Sequence, residues 1–494
     1  MKKILIALSI IPIIGKAQTI EFIEPRNVQQ FERVDYHPVK TADHFYMVMD
    51  KYNMKSQISR DIQIDVYNTS FKTQASAKIE SGSLAMDDAN IFEGIENIGG
   101  QLYLFKYHFV KKETKLALNY YPISNKAERG SGTELVKFTA EKAMNAGNFT
   151  VKASPDGNYF AVLAELPAEK EMNEKCIVWV FDKSFKEIWK KEYEFAYESS
   201  KGPRNELFIN NNGVVFIEKR IPVKKAIDTH SILTFVNNGG DVKESKITMA
   251  TDAILSSYKT NFDTDGNLIM TGFYYIDKKV GVNVETPNGP FYIKVNAKDG
   301  SIPVQVAETS AKLQNLITVS AVMNEDQSII LTGEQVYEKS EPKYPGTTSM
   351  ESNYIYNHMS ILVVKLNADG SKAWEYLIER DLSSTNDNGK MNSVFTFTRG
   401  DKTILLYKDK FYKHDGEPDK VVMGPPLSTM MADAVTTLDK DGKVITDTYI
   451  TDERIGGKKG EYYFIPASGY KIDDNSVWML ATRNMELVSV LLKF

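Results

Sequence analysis

The sequence predicts an all-β chain folded as a β-propeller of eight four-stranded blades, with seven as the alternative count. Three observations predict it. One turn-and-strand pattern occurs eight times, a second strand-turn-strand pattern follows most of its copies, and the last unit lacks a strand that the N-terminal segment can supply.

The N-terminus comes first. Lys2 and Lys3 precede the apolar run Ile4 to Ile14, and small residues Gly15 and Ala17 stand before Gln18. A charged start, a short apolar run and small residues at −3 and −1 make a secretory signal peptide. The run is well short of the roughly 20 residues a spanning helix needs. The expected division is therefore 1–17 signal peptide and 18–494 a single propeller domain, with cleavage between Ala17 and Gln18. No cysteine stands at that site, so a lipid anchor through an N-terminal cysteine is not expected.

The repeat is clearest in SPDGNYFAVLAE (Ser154 to Glu165), a turn signal followed by a β-rich run. Its echoes begin at Asp43, Gly100, Gly213, Gly266, Gln327, Asp401 and Asn475, about 55 residues apart early and about 75 later. A fixed period of this size indicates a repeat architecture. The second echo includes VFDKSFKEIW, TFVNNGGDVKES, IKVNAKDGSIPV, VKLNADGSKAWE and TTLDKDGKVITD, with a weaker copy at Tyr67 to Ser76. Asn-Gly, Asp-Gly and Gly-Gly steps supply the positive φ that tight hairpins require. Each unit thus reads as a four-stranded antiparallel meander. Such meanders bury their faces by stacking, and radial stacking is a propeller. The second unit is the most divergent, which leaves seven blades open. The last unit shows two clear strands, VWMLATR and ELVSVLLKF, and TIEFIEP (Thr19 to Pro25) can complete it, removing an exposed edge.

Composition is that of an ordinary globular protein: 494 residues, 42% hydrophobic, with 60 basic and 65 acidic residues giving a net charge of -5. That mixture argues against nucleic acid as a partner, which calls for a basic face or stripe. Cys176 is the single cysteine, so no intramolecular disulfide forms, and its setting in KCIVWVF is that of a small buried hydrophobe.

The SPDG turn opening a strand resembles the blade motif of WD40-like and TolB-type propellers. The full turn occurs once, and no Trp-Asp blade ending recurs, so the resemblance covers the repeat plan and no functional residues. The signal peptide and Gln-first mature end are similar to envelope and secreted propellers of Bacteroidota. That resemblance implies an exported location (periplasm, cell surface or medium) and a binding role.

Catalytic signatures are missing: there is no G-x-S-x-G, no phosphate loop and no H-E-x-x-H. RIGGKKGEY (Arg454 to Tyr462) has the wrong spacing for a phosphate loop, and the six histidines are scattered. Asn261, Asp263 and Asp265 alternate before Gly266 like the opening of a calcium loop, but Gly272 stands where the bidentate Glu belongs. The expectation there is a plain turn, and no cofactor is expected elsewhere.

The connections between second and third strands open on one face of such a ring, and two of them are long: Tyr337 to His358 and Lys408 to Met431. Loops beyond about 12 to 15 residues are usually functional or disordered. These carry Tyr344, Tyr354, Tyr356, Phe411, Tyr412, Met423, Met430 and Met431, side chains that supply adaptable contact area. They are the candidate binding residues; the alternative is that they fold back over the channel mouth. The expected function is an exported, non-enzymatic binding or scaffold module. Its partner would be another envelope or secreted protein, and docking on an outer-membrane or secretion assembly fits that role. Two alternatives stand beside it: a propeller enzyme cleaving glycans or peptides from loops of different blades, and an outer-membrane barrel suggested by the alternation toward Phe494.

Overall fold

The computed structural model describes residues 19–27, 34–41, 43–52, 59–83, 91–142, 145–167, 172–198, 204–221, 229–249, 253–276, 288–311, 313–343, 352–387, 389–410, 431–450, 462–483 and 486–494. Their strands form eight separate antiparallel sheets, seven of four strands and one of five. In chain order the sheets hold residues 34–83, 91–139, 148–198, 204–246, 253–307, 316–385, 394–449 and 463–493, the last joined by 19–27. They are numbered here as blades one to eight. The divergent second unit is a full blade, with strands Ile91–Ile98, Gln101–Val110, Lys115–Pro122 and Thr133–Thr139. Separate sheets also overturn the barrel alternative, which requires one continuous sheet closed on itself. The C-terminal alternation instead serves a blade: Leu487, Val488, Val490 and Leu492 are all buried.

Apolar clusters between neighbouring sheets hold the blades together. Phe105 of blade two packs with Phe160 of blade three, and Leu163 with Ile217 of blade four. Further clusters join blades four to five, five to six, six to seven and seven to eight. Trp478 of blade eight meets Phe45 and Tyr67 of blade one, with ring centroids 4.6 and 5.2 Å apart. The core is thus a set of seams between sheets, as stacked meanders require. In blade eight the first strand of the chain, Thr19–Asn27, pairs antiparallel with Glu486–Lys493.

The hairpin turns share one local solution. Asp182 Oδ1 accepts the amides of Ser184 and Lys186 at 2.8 and 3.1 Å, and Asn210, Asp263 and Asp439 repeat this two-and-four pattern. The residue before the returning strand takes positive φ, supplied by Gly213, Gly266 and Gly442. Asp263 belongs wholly to such a turn: its Oδ2 also accepts from Asn267 Nδ2 at 2.9 Å and pairs with Lys294 at 2.7 Å. The carboxylate of the calcium-like stretch is committed to hairpin geometry. Cys176 is buried, and burial pushes its thiol pKa up, away from reactivity.

Candidate functional site

Antiparallel meanders place the first-to-second and third-to-fourth turns at one end of every blade. Second-to-third connections and the links between blades lie at the other end. Blade six departs from its neighbours at that second end. Its second and third strands, Ile329–Pro342 and Ser352–Leu366, run 14 and 15 residues, against 9 and 8 for Lys402–Lys410 and Met431–Leu438 of blade seven. A bulge between Glu334 and Val336 is followed by continued pairing, from Val336 opposite His358 to Pro342 opposite Ser352. The stretch read as a loop from Tyr337 to His358 is therefore largely a two-stranded arm, and paired backbone replaces the expected open loop. Residues Lys339 to Lys343 are exposed.

The arm is braced. The strand Leu382–Thr385 pairs with its third strand as the fifth strand of the sheet. Asn386, at φ 61°, donates its amide to Tyr354 O and accepts the Tyr354 amide on Oδ1, both at 2.9 Å. The link to blade seven continues through Asp387, whose carboxylate accepts from Ser384 Oγ at 2.8 Å and from the amides of Gly389 and Met391 at 3.0 and 3.2 Å. Lys390 then pairs with Asp35 of blade one at 2.8 Å, and Met391 packs against the seam between blades eight and one. This link thus reaches from blade six to blades eight and one. Its residues, LSSTNDNGKMN, gave no sign of this in the sequence beyond turn-formers.

A buried ionic cluster anchors the arm's base. Glu334 accepts from Arg380 Nη2, from His358 Nδ1 at 2.8 Å and from Ser393 Oγ at 3.1 Å. Arg380 also donates from Nε to Met359 O at 2.9 Å and from Nη1 to Lys408 O at 3.3 Å, tying blade six to blade seven. Burial lowers the Arg380 pKa to about 10, still far above neutrality. Burial lowers His358 to about 4, so it is neutral at physiological pH, Lys390 adding to the effect and Asp387 opposing it. Gly389 lies close against its ring: a Cβ there would meet His358 Nε2 at 2.7 Å. Beside the cluster, burial raises Asp433 to about 6 against the pull of Lys408 and the Phe464 amide.

A second cluster spans blades three to five. Lys219 pairs with Glu174, Asn205 bridges Glu165 and Glu174, and His230 Nδ1 bonds Glu218. Tyr258 bonds both Glu206 and Glu218, and burial together with these carboxylates raises its hydroxyl pKa. In both clusters the histidine Nε2 is buried and has no hydrogen-bond partner among the described residues. Groups sealed from solvent in this way position strands; they offer no open base to a substrate. Among the described residues no group of His, Cys, Asp and Glu is arranged to hold a metal ion.

The predicted binding residues separate. Tyr356, opposite Glu338 in the arm, is 4% exposed and presents no contact surface. Tyr354 is half-buried beside Asn386. Met431 begins the third strand of blade seven, opposite Lys410. Tyr344, Phe411, Tyr412, Met423 and Met430 lie outside the described residues, as do the proposed signal peptide and His414. Sequence reasoning missed Glu334, Arg380 and Lys408. For Glu334 and Lys408 the signal was a charge interrupting an otherwise apolar second strand, in IILTGEQV and ILLYKDK; Arg380, just after the fourth strand in EYLIER, carried none.

Against known proteins, no family model matches the chain, and no curated protein matches it in sequence. Solved structures are similar to it in fold. The WD40 domain of SCAP from fission yeast is 7% identical, with 97% of this chain and 99% of that one covered and a TM-score of 0.38. An ulvan lyase of the polysaccharide lyases is 12% identical over 95% and 96% of the two chains, with a TM-score of 0.37. Pyrococcus horikoshii acylaminoacyl peptidase is 12% identical over 77% of this chain, which spans only 58% of the peptidase, with a TM-score of 0.33. The chain is an all-β protein of the propeller type. Non-enzymatic domains and enzymes share that fold, and likeness at this level says nothing of activity.

Proposed function

We propose that this chain is an exported, non-enzymatic β-propeller that binds a protein of the cell envelope or the secreted fraction through its second-to-third-strand face. The observation that carries the reading is the blade-six arm: a paired, braced hairpin whose strands continue past the bulge and carry the exposed residues Lys339 to Lys343. A hairpin fixed by a buried ionic base and a fifth strand loses little conformational entropy on binding, which favours recognition. The two histidine-bearing clusters, the natural seats for acid–base chemistry, are closed and serve as braces.

The test replaces residues 341–353 with an Asn-Gly turn, sparing Tyr354 and its brace to Asn386 together with Ile355, Tyr356 and His358 at the base. Asn-Gly suits a two-residue hairpin. The expected outcome is an unchanged thermal midpoint together with loss of the proteins that the intact chain captures from envelope extract. Capture that survives the replacement would remove the arm from recognition.

A further inference from the structure

We propose that a chamber on the opposite face, between blades six, seven and eight, binds a neutral oligosaccharide. It is enclosed by the first-to-second-strand turns of these three blades and holds about 590 Å³, within the range of roughly 300 to 1,000 Å³ typical of ligand sites. Its apolar wall is Met323, Ile330 and the indole of Trp374.

Polar groups of both signs ring that wall. Asp326 is committed within its own turn to the amide and hydroxyl of Ser328, and lies beside Lys365. Asp474 is paired with Lys471 at 2.7 Å. Four exposed charged side chains, Glu325, Asp401, Lys402 and Lys440, are absent from the ion pairs among the described residues, as is the half-buried Lys365. The whole lining balances four carboxylates against four ammonium groups, and its exposed unpaired set is two carboxylates and two ammonium groups. An anionic ligand would meet repulsion from the first pair and a cationic ligand from the second.

A sugar hydroxyl meets neither difficulty, because each one donates a hydrogen bond and accepts another. Carboxylates supply only acceptors and ammonium groups only donors, so a rim mixing the two satisfies both halves of each hydroxyl. Trp374 adds an apolar plate for the carbon face of a sugar ring. Its orientation is fixed: Nε1 donates to Lys440 O at 2.8 Å, and a Cβ at Gly442 would meet the indole at 2.6 Å, so a glycine backs the ring. Pre-positioned aromatic surface lowers the ordering cost of binding. The site owes nothing to the arm, which lies at the other end of the blades.

Trp374 also supplies the readout. Of four tryptophans, Trp179, Trp189 and Trp478 are buried, while Trp374 is half-buried at the chamber. The experiment titrates the full mature chain with tetrasaccharides of glucan, mannan, xylan and chitin, following tryptophan emission and heat. Tetragalacturonate and tetraglucosamine serve as the charged comparison. At least one neutral tetrasaccharide is expected to bind with Kd in the range of about 0.01 to 1 mM and to shift the emission. Asp401→Ala and Lys402→Ala, both on an exposed turn, are each expected to weaken it about tenfold, as loss of a hydrogen bond to a charged group does. Trp374→Phe should abolish the emission shift while some binding heat remains. The proposal is overturned if no neutral tetrasaccharide binds below about 10 mM, if a charged one binds more tightly, or if both turn variants bind as the wild type does.

Discussion

Arg380 has no solvent contact, and its partner Glu334 is 1% exposed. Removing one member of such a pair strands the other charge in the interior, at a cost of about 3–5 kcal/mol. Arg380→Met is therefore expected to lower the urea midpoint sharply. Adding Glu334→Gln should recover much of the loss, because the stranded charge goes. A double variant no better than the single one would show that Arg380 acts through its carbonyl contacts instead. His358 makes a separate prediction, read from pH. Its pKa falls from the usual value of about 6.5 when unfolded to about 4 in the fold. A base depressed in this way contributes stability above the unfolded value, and that contribution drains away as pH falls toward 4. Over that window the wild type should lose up to about 3 kcal/mol through this residue, at 1.36 kcal/mol per pH unit. His358→Asn, which can keep a donor to Glu334, should not share that loss. The stability difference between the two proteins, measured by urea unfolding from pH 7 to 4, should thus shift toward the variant; a flat difference would refute the assignment.

Among the elements, the turns show how local rules and packing trade against each other. Phe185 occupies the positive-φ position of its hairpin at 65°, where blades four and five use glycine. That backbone costs a non-glycine residue about 1–2 kcal/mol. Its ring, however, stacks on Tyr120 of blade two at 4.1 Å and meets Tyr103 and Phe160 at 4.8 and 5.0 Å. Losing a fully buried Phe costs about 3–5 kcal/mol; Phe185 is half-buried, so the lower end applies, packing still wins, and Phe185→Gly should destabilise by about 1 kcal/mol in chemical unfolding. A stabilised variant would mean that the strain dominates. The same turns explain what was legible in the sequence. Asp182, Asn210, Asp263 and Asp439 announce hairpins because their side chains bond the turn's own backbone, so the signal is local, and together with the recurring strand pattern it let the units be counted as eight, with seven as the alternative. The arm was not legible as strand. YEKSEP has the charge and proline of an exposed segment, and its pairing partner SNYIYNH lies across residues with turn composition. Edge-like chemistry and loop chemistry look alike when no neighbour is known. The ionic base was hidden for a different reason: Glu334, His358, Arg380 and Ser393 come from four segments that only tertiary folding brings together.

For the whole molecule, the seams matter more than any blade, since each sheet buries its faces only against its neighbours. Blade eight is composed from both ends of the chain, with Thr19 opposite Lys493 and Asn27 opposite Glu486. The proposed export route bears on this directly. Processing between Ala17 and Gln18 would leave that strand intact at the new N-terminus, and mass spectrometry of protein from the native envelope or medium should find Gln18 first. Retention of Met1 to Ala17 on the processed protein would remove the secretory reading. Deleting residues 19–27 tests the strand itself. The deletion bares the backbone edge of Glu486–Lys493, whose Leu487, Val488, Val490 and Leu492 are buried between neighbouring sheets. Partial exposure of even two of them costs several kcal/mol, at about 1.5–3 kcal/mol for each fully exposed side chain. An unpaired edge also recruits other chains. The shortened protein should therefore melt at lower temperature and show a higher-order species in size-exclusion chromatography, while a deletion of 18 alone should do neither. An unchanged melting temperature would mean that blade eight stands without the N-terminal strand.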